Sequence, residues 1–173
     1  MTSSINPQIF REYDIRGIVG QDLTAESVAS IGKAIGTYIK RGGGKTMIIG
    51  RDVRTSSIEF RDILSNALNS TGCDVIDIGM VPTPVTYFAL HHFKADGGVM
   101  ITGSHNPPEY NGFKISQGVH SLYGEKVQEL KRLIDANDFE IGTGNTSQRE
   151  VFGHYMEKIC SVLKISRKVK VVV

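Results

Sequence analysis

The chain has 173 residues, of which 40% are hydrophobic and 22% are charged. These proportions are typical of a globular protein and exclude collagen, a coiled coil or long disorder as the main architecture. Twenty basic and eighteen acidic side chains leave a formal net charge of +2, which gives no reason to expect binding to nucleic acid or to a membrane surface. The length favours one domain with a short extension.

No targeting or membrane segment is recognisable in the sequence. No apolar run approaches the ~18 residues that a membrane helix requires, and residues 1–7 lack the basic and apolar parts of a secretory signal. Cys73 and Cys160 have no second thiol near them in the sequence, so we expect both to be reduced. These features predict a soluble, cytoplasmic protein.

Helical and strand patterns alternate along the chain. Thr24 can cap a first helix that ends at 42–44, the capping-box sequence 56–59 begins a second, and Thr83 can cap a third at Pro84. Two later helices are predicted over 123–136 and 148–163. The predicted strands are 46–50, 74–78, 97–102 and 113–116.

This order predicts an α/β fold, namely a three-layer α/β/α sandwich with a mixed four-stranded sheet of three parallel strands plus one antiparallel strand. Asn111-Gly112 is typical of a turn and would return strand 113–116 antiparallel to 97–102. Ligands of such sheets bind beyond the carboxyl ends of the parallel strands. Segments 51–54, 79–83 and 103–105 should therefore converge at one edge.

The end of the chain predicts a domain boundary. Residues 1–163 would form one domain, and 164–173 would be a linker with the first strand of a truncated second domain, because 169–173 is valine-rich. The alternative is that 169–173 adds an edge strand to the same sheet.

Two other sequence patterns bear on functional sites, a P-loop and a metal site, and neither site is predicted. Residues 42–46 have glycines before a lysine, but they lack the first glycine of a P-loop and connect a helix to a strand rather than the reverse. The sequence has no pair of histidines or cysteines at zinc-ligand spacing, so a complete metal site within the chain is not expected.

The most informative segment is 101–114. Gly103 permits a tight backbone after a strand, while Pro107 and Pro108 stiffen the exit, so that Ser104 is held out on a rigid loop. A serine hydrolase is disfavoured because Asn106 replaces the last glycine of the nucleophile elbow and the prolines prevent an immediate helix. A loop serine satisfied by backbone amides stays an alternative.

Charged neighbours favour phosphoryl chemistry at Ser104. If residues 105–111 form the connection, Ser104 faces Gly112 and Lys114 lies on the diagonal, within reach of its side chain. With His105 adjacent, the hydroxyl would lie among donors that can hold a phosphoryl group. The segment 10–17 adds two arginines that could bind phosphate, although an amphipathic strand with paired charges is the more common explanation of such a segment.

Together, Phe-Arg-Glu-Tyr-Asp-Ile-Arg-Gly at 10–17 and Thr-Gly-Ser-His-Asn-Pro at 102–107 resemble the first domain of the α-D-phosphohexomutases, in the phosphomannomutase/phosphoglucomutase branch. The resemblance covers nearly the whole chain, including the helix start at 123–125. The phosphoglucosamine mutases are the alternative branch, and residues 11–14 argue against it.

The resemblance implies roles for the loop and its partners. Ser104 would carry a phosphoryl group and donate it to a hexose 1- or 6-phosphate, through a hexose 1,6-bisphosphate that serves as intermediate and activator. Lys114 would accept the proton of the attacking sugar hydroxyl. His105 would support the phosphoserine or share in proton transfer.

The resemblance also implies residues that bind the substrate or shape the serine loop. Arg16 and Tyr13 would contact substrate or phosphate, and Asn106 would shape the loop. Mg²⁺ would be bound by Ser104 through its phosphate, with most of its ligands in a second domain that this chain lacks.

The implied partners are a phosphorylated hexose and the remaining mutase domains, with no nucleic acid and no membrane. We therefore expect this chain alone to fold but not to catalyse mutase turnover. A non-catalytic domain that binds phosphate ligands at the same edge is the alternative from another functional class.

Overall fold

The computed structural model describes residues 5–164 and 166–172. Within these residues, seven strands form one sheet and five α-helices pack around it. In chain order the elements are β1 (Ile15–Ile18), α1 (Ala25–Arg41), β2 (Thr46–Arg51), α2 (Ser56–Ser70), β3 (Asp74–Met80), α3 (Thr83–His92), β4 (Gly97–Ile101), β5 (Tyr110–Gln117), β6 (His120–Ser121), α4 (Glu125–Asp135), β7 (Thr146–Gln148) and α5 (Phe152–Val162).

The sheet is mixed, as predicted. Its order is β1-β5-β4-β2-β3-β7, and β6 pairs with the end of β5. Strands β4, β2, β3 and β7 are parallel, whereas β5 is antiparallel to both of its neighbours, β4 and β1. The described residues thus contain three strands beyond the predicted four. These are β1, β6 and β7, which are too short for a clear period of alternation.

Helices cover both faces of the sheet, which confirms the three-layer arrangement. Along β2, Met47 and Ile49 belong to a core cluster shared with α1, α2 and α4, whereas Ile48 belongs to a second cluster with α3 and Tyr155 of α5. Successive side chains of a strand point to opposite faces, so the two clusters are the two inter-layer cores.

The predicted capping box at the start of α2 is not formed. The N-cap residue is Thr55, whose side chain makes no capping bond, and the helix begins at Ser56. The Ser56 and Ser57 hydroxyls instead accept hydrogen bonds from Nδ2 of Asn111, at 2.8 and 3.0 Å. A long-range partner on β5 therefore replaces the local one.

The prediction of a turn at Asn111-Gly112 is wrong, because both residues lie inside β5, where they pair with β1. The chain reverses earlier, where the Tyr110 N–H donates to the Pro107 carbonyl at 3.0 Å. Strand β1 supplies backbone partners to the Asn-Gly pair, and those partners hold it extended.

Three helix boundaries also differ from the predictions. Helix α3 begins at Thr83 itself, with Pro82 as the N-cap. Helix α4 begins at Glu125, after Gly124 with its φ of 55°. Residues 146–148 form β7 beside β3, so the last helix begins only at Phe152. A side-chain hydrogen bond of 2.8 Å from Asn69 to Thr146 helps to hold β7 at the sheet edge.

The end of the chain makes no strand in its described part, residues 166–172, and its valines there are exposed. Val173, part of the predicted strand 169–173, and Ile165 lie outside the described residues, as do residues 1–4. The boundary between 1–163 and 164–173 stays a prediction. No helix within the described ranges is long and apolar enough to cross a membrane.

Phe113 tests whether β5 anchors the core beneath the site. Its side chain is fully buried, pairs across the strands with Ile101 and Ile15, and has its ring centroid 5.9 Å from that of Phe60. We expect Phe113→Ala to lower the free energy of unfolding by about 3–5 kcal/mol, through lost burial and the cavity left behind. Urea unfolding followed by circular dichroism measures this change.

Val53→Ala is the matched control, since that side chain is 81% exposed and should change stability by less than about 0.5 kcal/mol. A loss at Phe113 no larger than that of the control would contradict the packing described here.

Candidate active site

The loop of residues 102–109 leaves β4 at the carboxyl end of the parallel strands and leads into β5. Ser104 is exposed on this loop and has a φ of 53°, in the left-handed region that non-glycine residues rarely adopt. Its backbone N–H donates to Oγ1 of Thr102 at 2.8 Å. The loop therefore presents the Ser104 side chain to solvent, as predicted, and does so from a strained backbone that the sequence did not predict.

Arg54, from the connection between β2 and α2, fixes the shape of this loop. Its Nη1 donates to the carbonyls of Pro107 and Tyr110, at 2.7 and 2.8 Å. Its Nη2 donates to the carbonyls of Asn106 and Ser104, at 2.6 and 3.3 Å. One guanidinium thus binds four backbone carbonyls of a segment some fifty residues away in the sequence.

Gly103 is required by the close approach of Arg54. A Cβ at this position would collide with the guanidinium of Arg54. The φ of Gly103 is not in the positive region, so the need for glycine here comes from the space that Arg54 occupies and not from the tight backbone predicted above. Any larger side chain here would displace the arginine from the loop.

Asp52 forms an ion pair with Arg54 and also binds the backbone of the serine loop. Its Oδ2 lies 3.3 Å from Nε of Arg54 and accepts the Gly103 N–H at 3.2 Å, while its Oδ1 accepts from the Ser57 hydroxyl at 2.7 Å. Burial by itself would raise the pKa of this carboxyl, but hydrogen bonds from Ser57, from the Arg54 and Gly103 N–H groups and from Thr102 outweigh it and lower the pKa.

Arg16 binds the loop from the opposite side, from β1. Its Nη1 donates to the Gly103 carbonyl at 2.6 Å and to Oδ1 of Asn106, and its Nη2 is paired with Asp14. The residue is only 5% exposed. The structure therefore places Arg16 as a support of the loop, and Asn106 as the side chain through which it acts.

Lys114 reaches the loop by a different route from the predicted one. The expected pairing of Ser104 with Gly112 is wrong, since Thr102 bonds to Gly112 and Lys114 pairs with Met100. The true register sets Lys114 two residues further from Ser104 along the strands.

Asp14 joins Lys114 to the loop instead. The Lys114 ammonium lies 3.4 Å from Oδ2 of Asp14, which is the carboxylate oxygen that also binds Arg16. Asp14, Asp52 and Arg54 were all missed as site residues. Their only sequence signals were the position of Asp14 within 10–17 and of the other two after a parallel strand.

Two further predicted residues face solvent at the site. The His105 Nδ1 lies 3.3 Å from Oγ of Ser104, and both residues are exposed. Tyr13 is 71% exposed and lines a cavity of about 350 Å³ together with Lys114, Tyr87 and Tyr123. The site thus has an exposed hydroxyl, an imidazole in contact with it, and a lysine beside an aromatic-lined cavity.

The described part of the chain does not form a metal site on its own. No group of three or more histidine, cysteine, aspartate or glutamate side chains within 5–164 and 166–172 could hold an ion. Asp14 and Asp52 are both engaged by arginines. A phosphate on Ser104 would supply one oxygen ligand, and the other ligands of a Mg²⁺ ion would have to come from elsewhere.

The fold and the site together define a class of protein, namely a three-layer α/β/α domain that carries a serine loop at the edge of its sheet. Comparison with known proteins identifies the family. The chain belongs to the phosphoglucomutase/phosphomannomutase family, whose alpha/beta/alpha domain I matches residues 7–141. It is 44% identical over 165 residues to a phosphomannomutase/phosphoglucomutase of Pseudomonas aeruginosa, covering 95% of this chain and 36% of that protein.

Other relatives agree with this assignment. A phosphoglucomutase of Neisseria meningitidis serogroup B is 39% identical over 173 residues, covering 99% of this chain and 38% of that protein. A solved structure of a Burkholderia thailandensis member superposes with a TM-score of 0.90 at 40% identity, covering 94% and 37% of the two chains. The chain thus spans little more than a third of the length of these relatives.

Asp52 gives the site a pH dependence whose sign follows from its lowered pKa. The unfolded chain, with the carboxyl near its ordinary pKa of 3.8, binds more protons than the folded chain between the two pKa values. The stabilisation is therefore complete above the ordinary pKa and is lost as the pH falls through the folded one. Asp52→Asn should cost about 2 kcal/mol of unfolding free energy at neutral pH, and the difference from wild type should shrink in acid.

Urea unfolding from neutral pH to below 3.8 measures this difference. Asp135→Asn is the control, because its surface pair with Lys131 contributes only a few tenths of a kcal/mol. A difference for Asp52→Asn that does not change with pH would contradict the argument.

Proposed function

We propose that this chain is the phosphoserine-bearing domain of a phosphomannomutase/phosphoglucomutase, which interconverts hexose 1-phosphate and hexose 6-phosphate through a hexose 1,6-bisphosphate. The observation that carries the proposal is the exposed Ser104 hydroxyl on a loop whose backbone is fixed by Arg54 and Arg16. Phosphoryl transfer depends mainly on positioning and electrostatic stabilisation, and a fixed loop supplies the first of these. The family membership of the chain supports the same chemistry.

In the proposed transfer, a sugar hydroxyl attacks the phosphorus of phosphorylated Ser104. The new sugar O–P bond forms as the Oγ–P bond breaks, the hydroxyl proton passes to the Lys114 amine, and His105 returns a proton to the serine oxygen. The 3.3 Å distance between His105 Nδ1 and Ser104 Oγ suits that return. The reverse sequence, using the other phosphate of the bisphosphate, restores the phosphoserine.

The other predicted residues receive roles that their contacts support. Tyr13 is free to contact the sugar because it is exposed beside Lys114. Asn106 shapes the loop through its bond to Arg16. Arg16 is committed to the loop and to Asp14, so we assign it a positioning role in addition to the predicted contribution to phosphate binding.

Mg²⁺ fits this scheme only with help from outside the chain. We propose that the phosphate of Ser104 supplies one ligand and that the remaining mutase domains supply the rest. Those domains would also recognise the phosphorylated hexose. It follows that the 173-residue chain folds but does not interconvert hexose phosphates by itself.

One comparison favours an alternative substrate. A Thermococcus gammatolerans protein whose name assigns it to the phosphoglucosamine mutases is 42% identical over 172 residues. The chemistry at Ser104 would be unchanged, and only the hexose would carry an amino group. Assays of the full-length protein with mannose, glucose and glucosamine phosphates distinguish these substrates.

Ser104→Ala tests the central proposal. In the full-length protein the change should abolish phosphorylation at residue 104 and reduce mutase turnover by about 10³-fold or more, since the group that carries the phosphoryl is gone. Phosphopeptide mass spectrometry and a coupled mutase assay are the two measurements.

Ser161→Ala is the control, because that exposed hydroxyl bonds only to a backbone carbonyl of its own helix. Reversible sugar-phosphate binding by a protein that never contains phosphoserine would instead support the non-catalytic alternative.

Lys114 can be tested by separating its charge from its ability to accept a proton. Lys114→Arg keeps a cation beside Asp14 but cannot serve as a base, whereas Lys114→Met removes both. If Lys114 is the base, both variants should slow single-turnover transfer by about 10²–10⁴-fold with little loss of stability.

Lys131→Met is a close control, since Lys131 is likewise 30% exposed and paired with an aspartate. Near-normal transfer by Lys114→Arg would show that the positive charge, and not proton transfer, is what the site requires of this residue.

A further inference from the structure

A second cavity, which is lined mainly by polar residues, lies at the same edge of the sheet. It is formed at the carboxyl ends of β2 and β3 and beside the end of β7. It has a volume of about 320 Å³, and three of its lining residues are arginines, Arg51, Arg61 and Arg149. Ser104 and its supporting residues are not among those that line it. The cavity is therefore separate from the site described above, although it opens at the edge where such sheets bind ligands.

The arginines of this cavity are unequally paired. Arg61 donates to Asp77 at 2.6 Å and lies 2.8 Å from Asp62. Within the described residues, Arg51 and Arg149 have no ion-pair partner. Glu150 also lines the cavity, but its Oε1 accepts the backbone N–H of Gly153. Two guanidinium groups are thus left for a ligand.

Arg51 adds a second, independent observation. Its Nε is buried and has no hydrogen-bond partner in the described part of the chain, which is also true of the Nε of Arg61 in the same cavity and of Arg16 at the serine loop. A buried charged donor without a partner costs more free energy than a typical hydrogen bond returns, so native proteins nearly always satisfy such groups. Because this Nε is inaccessible, an anion in the cavity would pair with Arg51 through the Nη groups of its guanidinium.

We propose that this cavity binds a phosphate dianion, either free or as the phosphate group of a monoester. Three guanidinium groups outnumber the two carboxylates of Asp77 and Glu150 in the lining, and the planar donor pairs of Arg51 and Arg149 match the geometry of phosphate oxygens. The side chain of Gln148 adds a neutral donor at the rim. The proposal does not depend on Ser104 carrying a phosphoryl group.

Titration of the ¹⁵N-labelled 173-residue chain with inorganic phosphate, at constant ionic strength in chloride, tests the proposal by NMR. The backbone amide of Gly79, which lines the cavity, should shift in a saturable way. Arg51→Gln and Arg149→Gln should each weaken this binding by about tenfold, since each removes a charge-assisted contact. Arg149 is exposed, so its variant is expected to fold even if Arg51→Gln does not.

Two controls locate the effect. Arg132→Gln removes an exposed arginine of α4 and should leave the binding unchanged. Ser104→Ala should also leave it unchanged, which separates this proposal from the proposed function. A parallel titration with a hexose 6-phosphate shows whether the monoester binds more tightly than free phosphate.

Phosphate that shifts only the amides of the Ser104 loop would overturn the proposal. Binding at Gly79 that is as tight in Arg149→Gln as in the wild type would overturn it as well.

Discussion

The hydrogen bonds from Arg54 to the carbonyls of the serine loop are the interaction on which the site depends. Four carbonyls of residues 104–110 converge on one guanidinium, and Gly103 is small enough to let it approach. A serine in the left-handed region is strained by about 1–3 kcal/mol and persists only where its surroundings hold it. Charge-assisted bonds from a rigid fork are suited to that task. The exposed hydroxyl is therefore fixed in position without being buried.

An arginine that is paired with an aspartate occurs on each side of the loop, and these two pairs determine which charges remain beside Ser104. Asp52 holds Arg54 on one side, and Asp14 holds Arg16 on the other. Each arginine is thus paired with a carboxylate and also donates to carbonyls of the loop, while the Nε of Arg16 is buried without a partner. Lys114 and His105 are the polar side chains beside the loop that Arg54 and Arg16 leave available, Lys114 at 3.4 Å from Asp14 and His105 at 3.3 Å from the Ser104 hydroxyl. This division separates the groups that fix the serine loop from those that remain beside its exposed hydroxyl.

Local patterns predicted the parallel strands and the exposure of Ser104, because strand alternation and proline stiffening act within a few residues. They failed at Asn111-Gly112, where pairing with β1 overrode a strong turn signal. They also failed to predict the start of α2, where the Ser56 hydroxyl accepts a hydrogen bond from Asn111 instead of capping the helix. Arg54 and Asp14 could not be found in this way, since their partners lie about fifty and one hundred residues away. Such long-range bonds leave no periodic trace in the sequence.

The two groups of arginines at the sheet edge differ in what their donors bind. One group supports the serine loop, whereas the other lines a cavity that a ligand could enter. Around the serine loop, Arg54 and Arg16 bind carbonyls and carboxylates of the chain itself. At the end of β2, Arg51 has no ion-pair partner among the described residues, and its buried Nε is unpaired, as is that of Arg16. An arginine whose Nη groups bind its own protein stabilises a shape, whereas one without an ion-pair partner beside a cavity keeps donors for an anion. The carboxyl edge of one sheet therefore carries a fixed serine loop after β4 and, at the ends of β2 and β3, the separate arginine-lined cavity of the proposed phosphate site.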